Sequence, residues 1–151
     1  MADKPARIPP PWFIKAAWKV HRGLYRLSGG RFGLWEPRGT EKWGTLRLTT
    51  VGRRTGAERS VILAYFPDGE NLALMAMNGW QEGAPAWWLN LQAQPDARVT
   101  LVTGERDVRA RAAVGDERER LWSRWQEFDH DLDELAGRRA TDTAVVVLEP
   151  R

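Results

Sequence analysis

Three arginines stand in and beside a glycine turn between two apolar runs, in the segment Gly52-Arg53-Arg54-Thr55-Gly56 and at Arg59. Glycines let backbone N–H groups approach an oxyanion, and arginine binds phosphate or carboxylate oxygens with two parallel hydrogen bonds. Thr55 adds a hydroxyl donor. A solvated hairpin loop would explain a single arginine here. The cluster instead favours binding of an anion, either a phosphate or a polycarboxylate.

Two further segments carry groups that could contact a ring. Pro85-Ala86-Trp87-Trp88-Leu89-Asn90 begins a helix with proline in its first turn. Adjacent tryptophans cannot share one helix face, so one should face the core and leave the other available to a ring. In Met75-Ala76-Met77-Asn78-Gly79, the two methionines point to one face of a strand, and Asn78 can meet the edge of a heterocycle. Core packing would explain either segment alone, but with the arginine turn they indicate an anionic, ring-bearing cofactor.

Several kinds of chemistry are excluded or unsupported. The chain has no cysteine, which excludes disulfides, thiolate catalysis and zinc–thiolate sites. His21 and His130 are not at metal-ligand spacing, and no nucleophile–base pair is recognisable, so we predict neither a metal site nor a catalytic side chain. An enzyme of this kind would need a cofactor to supply its chemistry.

The charge is unevenly distributed along the chain. Residues 1–60 contain 13 Lys and Arg against 4 Asp and Glu, whereas residues 61–151 contain 10 against 16. The basic half should attract an anionic partner. Its basic residues concentrate on one helix and one turn without a nucleic-acid recognition motif, so no nucleic-acid partner is predicted.

The 151 residues predict one domain, 1–151, with a flexible arm at 1–11 and an amphipathic helix at 12–28. Trp12 and Phe13 lie beside Lys15 and Lys19, so this helix could either pack on the domain or contact an anionic membrane surface. No apolar run approaches the ~20 residues that cross a bilayer, and no signal peptide is recognisable. A cytoplasmic protein is therefore expected, either free or at the inner face of the membrane.

Six apolar runs predict strands, at 45–51, 60–66, 72–77, 98–102, 108–114 and 144–148. Helices are expected at 85–91 and 116–128, and 131–140 should be a short helix or irregular. The first strands follow one another without crossover helices, which argues against a doubly wound sheet. The pattern predicts an α+β fold, mainly antiparallel β, with peripheral helices on a sheet or small barrel.

The segment Thr49–Gly56 followed by Arg59 resembles the signature of the deazaflavin-dependent nitroreductase family. Matching positions recur along residues 20–150, at Asp68-Gly69, Asn78-Gly79, Pro85-Ala86-Trp87, Leu89-Asn90-Leu91, Pro95 and Val145–Pro150. The resemblance implies a six-stranded split β-barrel that uses coenzyme F420, a deazaflavin with a phosphate and an oligoglutamate tail. Its reduced form, F420H2, would pass a hydride to a small electron-poor acceptor.

By position, the resemblance implies roles for individual residues. The phosphate and tail would be held by Arg53, Arg54, Thr55, Gly56 and Arg59. The ring and ribityl chain would lie along Met75, Ala76, Met77, Asn78 and Gly79, and the pocket would be closed by Pro85, Ala86, Trp87 and Asn90. The substrate pocket would comprise Met77, Trp87, Phe128, Leu132 and Leu135.

The acceptor is left open by two departures from the nitroreductase pattern. Met77 and Asn78 replace a serine and a lysine, and Phe128, Leu132 and Leu135 occupy the segment where the family nitroreductase has tyrosines. An enone fits this leucine-rich lid best, with quinones and nitro compounds as alternatives. Other hypotheses are an FMN-binding split-barrel reductase and a non-catalytic deazaflavin-binding or membrane-surface protein. The chain is expected to be a monomer or a homodimer.

Overall fold

A computed structural model describes residues 10–17, 19, 34–37 and 43–151. The predicted arm at 1–11 lies almost entirely outside these residues, as does much of the predicted helix at 12–28. Residues 11–17 are helical (α1), with Trp12 70% and Phe13 51% exposed. Among the helices of the described ranges, none has the length and apolarity needed to span a bilayer.

Six antiparallel strands form a closed barrel in the order β1-β2-β3-β6-β5-β4, with β4 returning to pair with β1. The strands are β1 (Gly44–Val51), β2 (Glu58–Asp68), β3 (Asn71–Met75), β4 (Asp96–Leu101), β5 (Gly104–Ala112) and β6 (Val145–Pro150). A 3-10 turn (Asn78–Trp80) and α2 (Ala86–Ala93) lie between β3 and β4, and α3 (Gly115–Phe128) and α4 (Leu132–Gly137) lie between β5 and β6. The predicted antiparallel α+β fold with six strands is confirmed.

Side-chain alternation along β3 and β6 builds two hydrophobic clusters. Leu72, Leu74, Val146 and Leu148 point into the barrel, where they join the barrel core. The intervening residues of both strands, Ala73 and Met75 and Val145 and Val147, point outward into a second core beneath α3 and α4. Burial of both faces explains why β6 reads as an unbroken apolar run.

The strand ends differ from the sequence prediction. Strand β2 continues to Asp68, which pairs with Asn71, so the turn is the two-residue Gly69-Glu70, with Gly69 at φ 60°. Pro67 has no backbone N–H to donate. It is tolerated inside β2 because the β1–β2 pairing ends at Tyr65, so no hydrogen bond to β1 is lost at Pro67. Strand β3 ends at Met75, two residues early, because the chain then enters the 3-10 turn.

Helix α2 packs against β1, β2 and β5. Trp87 and Trp88 are each 8% exposed, and both belong to the barrel core together with Leu91. The sequence predicts one core tryptophan, whereas the structure buries both. A helix in contact with several strands can bury more than one of its faces, so adjacent residues are both covered.

Helix α3 covers the outer side of the barrel. Leu121, Trp125 and Phe128 recur at helical spacing and pack on the second core, where the Trp125 and Phe66 ring centroids are 5.1 Å apart. Arg120 of α3 forms a bidentate pair with Asp68 at 2.8 and 2.9 Å, and this hydrogen bonding lowers the pKa of the Asp68 carboxyl. These contacts hold α3 against the end of β2.

Candidate functional site

The arginine turn is a tight loop, residues 52–57, between the last β1–β2 pair, Val51 and Glu58. The Gly52 N–H donates to the Ala57 carbonyl at 2.7 Å, and the Gly56 N–H donates to the Gly52 carbonyl at 2.8 Å. A Cβ on Gly52 would lie 2.9 Å from the Ala57 oxygen, too close for any larger residue without a shift of the turn. Both glycines are therefore needed to shape the loop, Gly56 through its positive φ of 72°.

Asn90 of α2 joins this turn to the barrel. Its side chain, only 4% exposed, accepts hydrogen bonds at Oδ1 from the Arg53 backbone N–H at 3.2 Å and from the Arg53 guanidinium at 3.1 Å. Its Nδ2 donates to Thr50 Oγ1 at 3.2 Å. One buried amide thus fixes both the backbone and the side chain of Arg53 relative to β1 and α2.

Beside the turn lies a cavity of about 450 Å³, which we call the arginine cavity. It is lined by Thr50, Gly52, Arg53, Arg54, Thr55, Arg59, Ser60, Val61, Ala86, Trp87 and Asn90. Arg54 and Arg59 are exposed, and neither has a hydrogen-bond or ion-pair partner within the described part of the chain. Several like charges around one cavity, two of them without a counter-charge, fit a phosphate or carboxylate ligand.

A second cavity of about 150 Å³, the aromatic cavity, lies between the outer side of the barrel and α3. It is lined by Trp43, Leu63, Ala64, Met75, Met77, Trp80, Trp125, Phe128, Asp129 and Leu132. The indole N–H of Trp125 is buried and has no hydrogen-bond partner among the described residues. The aromatic rings and methionine thioethers that line this cavity suit a flat apolar ligand.

A polar network holds the loop after β3 against the segment that follows α4. Glu82 accepts hydrogen bonds from the backbone N–H groups of Ala140 at 2.9 Å and Thr141 at 3.2 Å. These bonds, with one from the Thr141 hydroxyl, lower the pKa of the Glu82 carboxyl. Buried Arg139 donates to the Gly83 carbonyl at 2.8 Å and to Thr143 Oγ1 at 2.9 Å, and burial lowers the pKa of its guanidinium.

The structure divides the residues predicted from the sequence between the two cavities. The arginine cavity contains Arg53, Arg54, Thr55, Arg59, Ala86, Trp87 and Asn90. The aromatic cavity contains Met75, Met77, Phe128 and Leu132. Gly56, Ala76, Asn78, Gly79, Pro85 and Leu135 line neither cavity.

Four residues of the last group lie in the core, at a helix end or in the loop after β3. Ala76 is buried in the barrel core, and Pro85 precedes α2 as its N-cap. Asn78 donates from Nδ2 to the Glu82 and Gly83 carbonyls, both at 3.1 Å, so that donor is already satisfied within the loop. Leu135 is buried in α4.

Several lining residues were missed by the sequence reasoning. Trp125 could have been found from its helical spacing with Leu121 and Phe128, which predicts a shared face. Trp43 and Trp80 carry no such signal, because they meet Trp125 only once the barrel and α3 are assembled. Ser60 and Val61 follow Arg59 on the strand that leaves the turn, and that adjacency was the available signal.

Comparisons with known proteins identify the family of the chain. A family model described as F420H(2)-dependent quinone reductase matches residues 18–150. A Mycobacterium tuberculosis protein, named as a candidate F420H(2)-dependent quinone reductase, is 33% identical over 107 residues, covering 71% of this chain and 90% of that protein. An M. tuberculosis F420H(2)-dependent quinone reductase is 31% identical over 83 residues, 55% of this chain and 54% of the relative, so the chain spans about half of that relative's length.

Solved structures share the fold. A chain described as a domain-swapped dimer aligns with TM-score 0.66 and 24% identity over 93% of this chain and 100% of its own. An F420-H2 dependent reductase aligns with TM-score 0.62 and 26% identity over 70% of this chain and 93% of its own. A pyridoxamine 5'-phosphate oxidase-related, FMN-binding protein of Nostoc punctiforme aligns at TM-score 0.50 and 16% identity over 94% of this chain and 81% of its own.

The fold and the family match thus define a split β-barrel oxidoreductase. The chain belongs to the F420H(2)-dependent quinone reductase family, and its cofactor is coenzyme F420. This confirms the resemblance and the cofactor inferred from the sequence.

Replacing Asn90 tests its role as the joint of the arginine turn. Asn90→Ala would leave the buried Thr50 hydroxyl and the Arg53 N–H without their partner, so we expect a loss of roughly 1–3 kcal/mol in the free energy of unfolding. Urea denaturation measures it, with exposed Gln92→Ala in the same helix as the matched control. An Asn90→Ala protein as stable as the control variant would contradict this role.

Proposed function

We propose that the chain transfers a hydride from reduced coenzyme F420 to a flat, conjugated carbonyl compound. In this proposal the arginine cavity holds the anionic tail of the cofactor and the aromatic cavity receives the acceptor. The supporting observation is that one strand lines both cavities. Arg59, Ser60 and Val61 of β2 border the arginine cavity, whereas Leu63 and Ala64 border the aromatic cavity.

This arrangement suits a cofactor with a charged end and a ring end. From Ser60 to Ala64 an extended strand covers about 13 Å, so a long ligand that follows β2 reaches from one cavity to the other. Arg53, Arg54 and Arg59 would bind the phosphate and the carboxylates of the tail with charge-assisted hydrogen bonds. Met75 and Met77, at the end of β3, would border the ring. When bound, the reduced deazaflavin supplies the hydride.

The protein's part in the reaction is positioning and exclusion of water. Hydride transfer requires donor and acceptor carbons in near-attack geometry, and the aromatic cavity walls would hold a flat acceptor. Trp80, Trp125 and Phe128 also keep the cavity apolar. No side chain is assigned as proton donor, and solvent supplies the proton that completes the reduction.

Removing the two unpaired arginines tests the cofactor assignment. Arg54→Ala and Arg59→Ala should each weaken F420 binding by roughly 1.5–3 kcal/mol, because each deletes charge-assisted hydrogen bonds to the tail. A fluorescence titration with oxidised F420 measures the dissociation constant, with FMN titrated in parallel. Arg106→Ala, an exposed arginine on β5 that lines neither cavity, is the matched control.

Unchanged F420 affinity in the Arg54→Ala/Arg59→Ala double variant would contradict binding of the tail in the arginine cavity. Tighter binding of FMN than of F420 would favour the FMN-dependent alternative, because the shorter tail of FMN requires fewer arginines.

A turnover assay with F420H2 tests the acceptor class. We expect oxidation of F420H2 by 2-cyclohexenone and 1,4-benzoquinone, one-ring conjugated carbonyls that match a cavity of about 150 Å³, and slower oxidation by bulky nitroaromatic compounds. Absorbance of the deazaflavin follows the reaction, and heat-denatured protein is the control. Tight F420 binding without turnover of any acceptor would instead identify a non-catalytic deazaflavin-binding protein.

We also propose that α1 contacts the surface of an anionic membrane, where an apolar quinone would be found. Trp12 and Phe13 are largely exposed, and Lys15 and Lys19 are exposed on the same segment. Sedimentation with vesicles of phosphatidylglycerol should recover the protein, and Trp12→Ala/Phe13→Ala should release it. Equal recovery of this variant, or equal binding to neutral phosphatidylcholine vesicles, would count against the contact.

A further inference from the structure

Three successive residues of the loop after β3 adopt left-handed backbone conformations. Their φ angles are 52° at Asn78, 61° at Gly79 and 63° at Trp80. Glycine adopts such angles freely and asparagine does so with modest strain, whereas a bulky aromatic residue is a conformational outlier there. The chain therefore carries its largest type of side chain at a position where the backbone favours glycine.

Contacts on both sides of Trp80 hold this conformation. The Trp80 N–H donates to the Met77 carbonyl at 2.9 Å, and the Asn78 amide closes the loop on the Glu82 and Gly83 carbonyls. The Glu82 carboxylate, bound by Thr141, ties the loop to the segment after α4. A strained backbone conformation persists where several surrounding contacts fix it, and such residues cluster at ligand sites.

The strained residue also stands at a cavity. Trp80 lines the aromatic cavity together with Trp125 and Phe128 of α3, and it packs against the second core. The positive φ of Trp80 thus coincides with a place in the cavity wall. We propose that Trp80 is the specificity-determining wall of the aromatic cavity, and that it limits the cavity to one-ring ligands. This inference rests on the acceptor role proposed for that cavity.

Size discrimination in the presence of oxidised F420 tests the proposal without requiring turnover. Isothermal titration calorimetry gives the dissociation constants of phenol and 2-naphthol, flat ligands of one and two rings. Trp80→Gly relieves the backbone strain and opens the wall. We expect it to shift the ratio of the two constants in favour of 2-naphthol by about tenfold, the size of effect typical of a changed pocket shape. In Trp80→Phe, which keeps an aromatic wall, most of the wild-type preference should remain.

Two further measurements separate a specificity role from general packing. Both Trp80 variants should retain most of their affinity for F420, because the arginine cavity, which would hold the charged tail of the cofactor, does not include Trp80. Glu82→Gln, which keeps Trp80 but weakens its tether, should raise KM for 1,4-benzoquinone with little change in kcat. A Trp80→Gly protein that binds F420 normally and retains the wild-type ratio for phenol and 2-naphthol would overturn the proposal.

The outcomes also distinguish this inference from the proposed function. The wild-type protein could select phenol over 2-naphthol through Trp80 and yet oxidise no F420H2. That result would support the role of Trp80 and contradict the proposed reductase function. Alternatively, the wild-type protein and the Trp80→Gly variant could both oxidise F420H2 equally well with one-ring and two-ring quinones. That result would support the reductase function and contradict the role of Trp80.

Discussion

Closure of the barrel through β1 is the constraint on which the remaining structure depends. Strand β1 pairs with β2 along its whole length and with β4 through Arg47–Thr49, so its register fixes both neighbours. A one-residue slip would turn Leu46 and Leu48 out of the barrel core, which makes the register costly to change. The arginine turn leaves the end of β1 and returns as β2. Its position, and that of both cavities along β2, therefore follows from this pairing.

The two cavities differ because the barrel presents different surfaces to them. The arginine cavity lies by a glycine turn near the start of α2, where backbone geometry and cationic side chains dominate. The aromatic cavity lies over the outward faces of β2 and β3, and α3 covers it with Trp125 and Phe128. Two different cavities can form because the strands between them bury both faces. One face completes the barrel core, and the other packs against the second core beneath α3 and α4. The aromatic cavity is thus a consequence of the second core.

What could be predicted from the sequence depended on how local the signal was. The glycine turn, the helix after Pro85 and the six strands each have a signal within a short segment, and each was predicted. The antiparallel order followed because consecutive strands without crossovers pair as hairpins. The grouping of Trp43, Trp80 and Trp125 was not predictable, since it needs the packing of α3 on the barrel. The tether from Glu82 to Thr141 also escaped, because it joins residues 59 positions apart.

Asn90 shows how the arginine turn can be fixed without losing its attraction for an anion. An aspartate at this position could accept the same two hydrogen bonds from Arg53, yet its negative charge would offset that of the guanidinium and repel a phosphate. The neutral amide orients Arg53 through Oδ1 and leaves the positive charge in place. Its Nδ2 is meanwhile satisfied by Thr50, so burial leaves neither end of the amide unpaired. A buried amide is therefore the side chain that both rigidifies the turn and preserves the cationic character of the cavity.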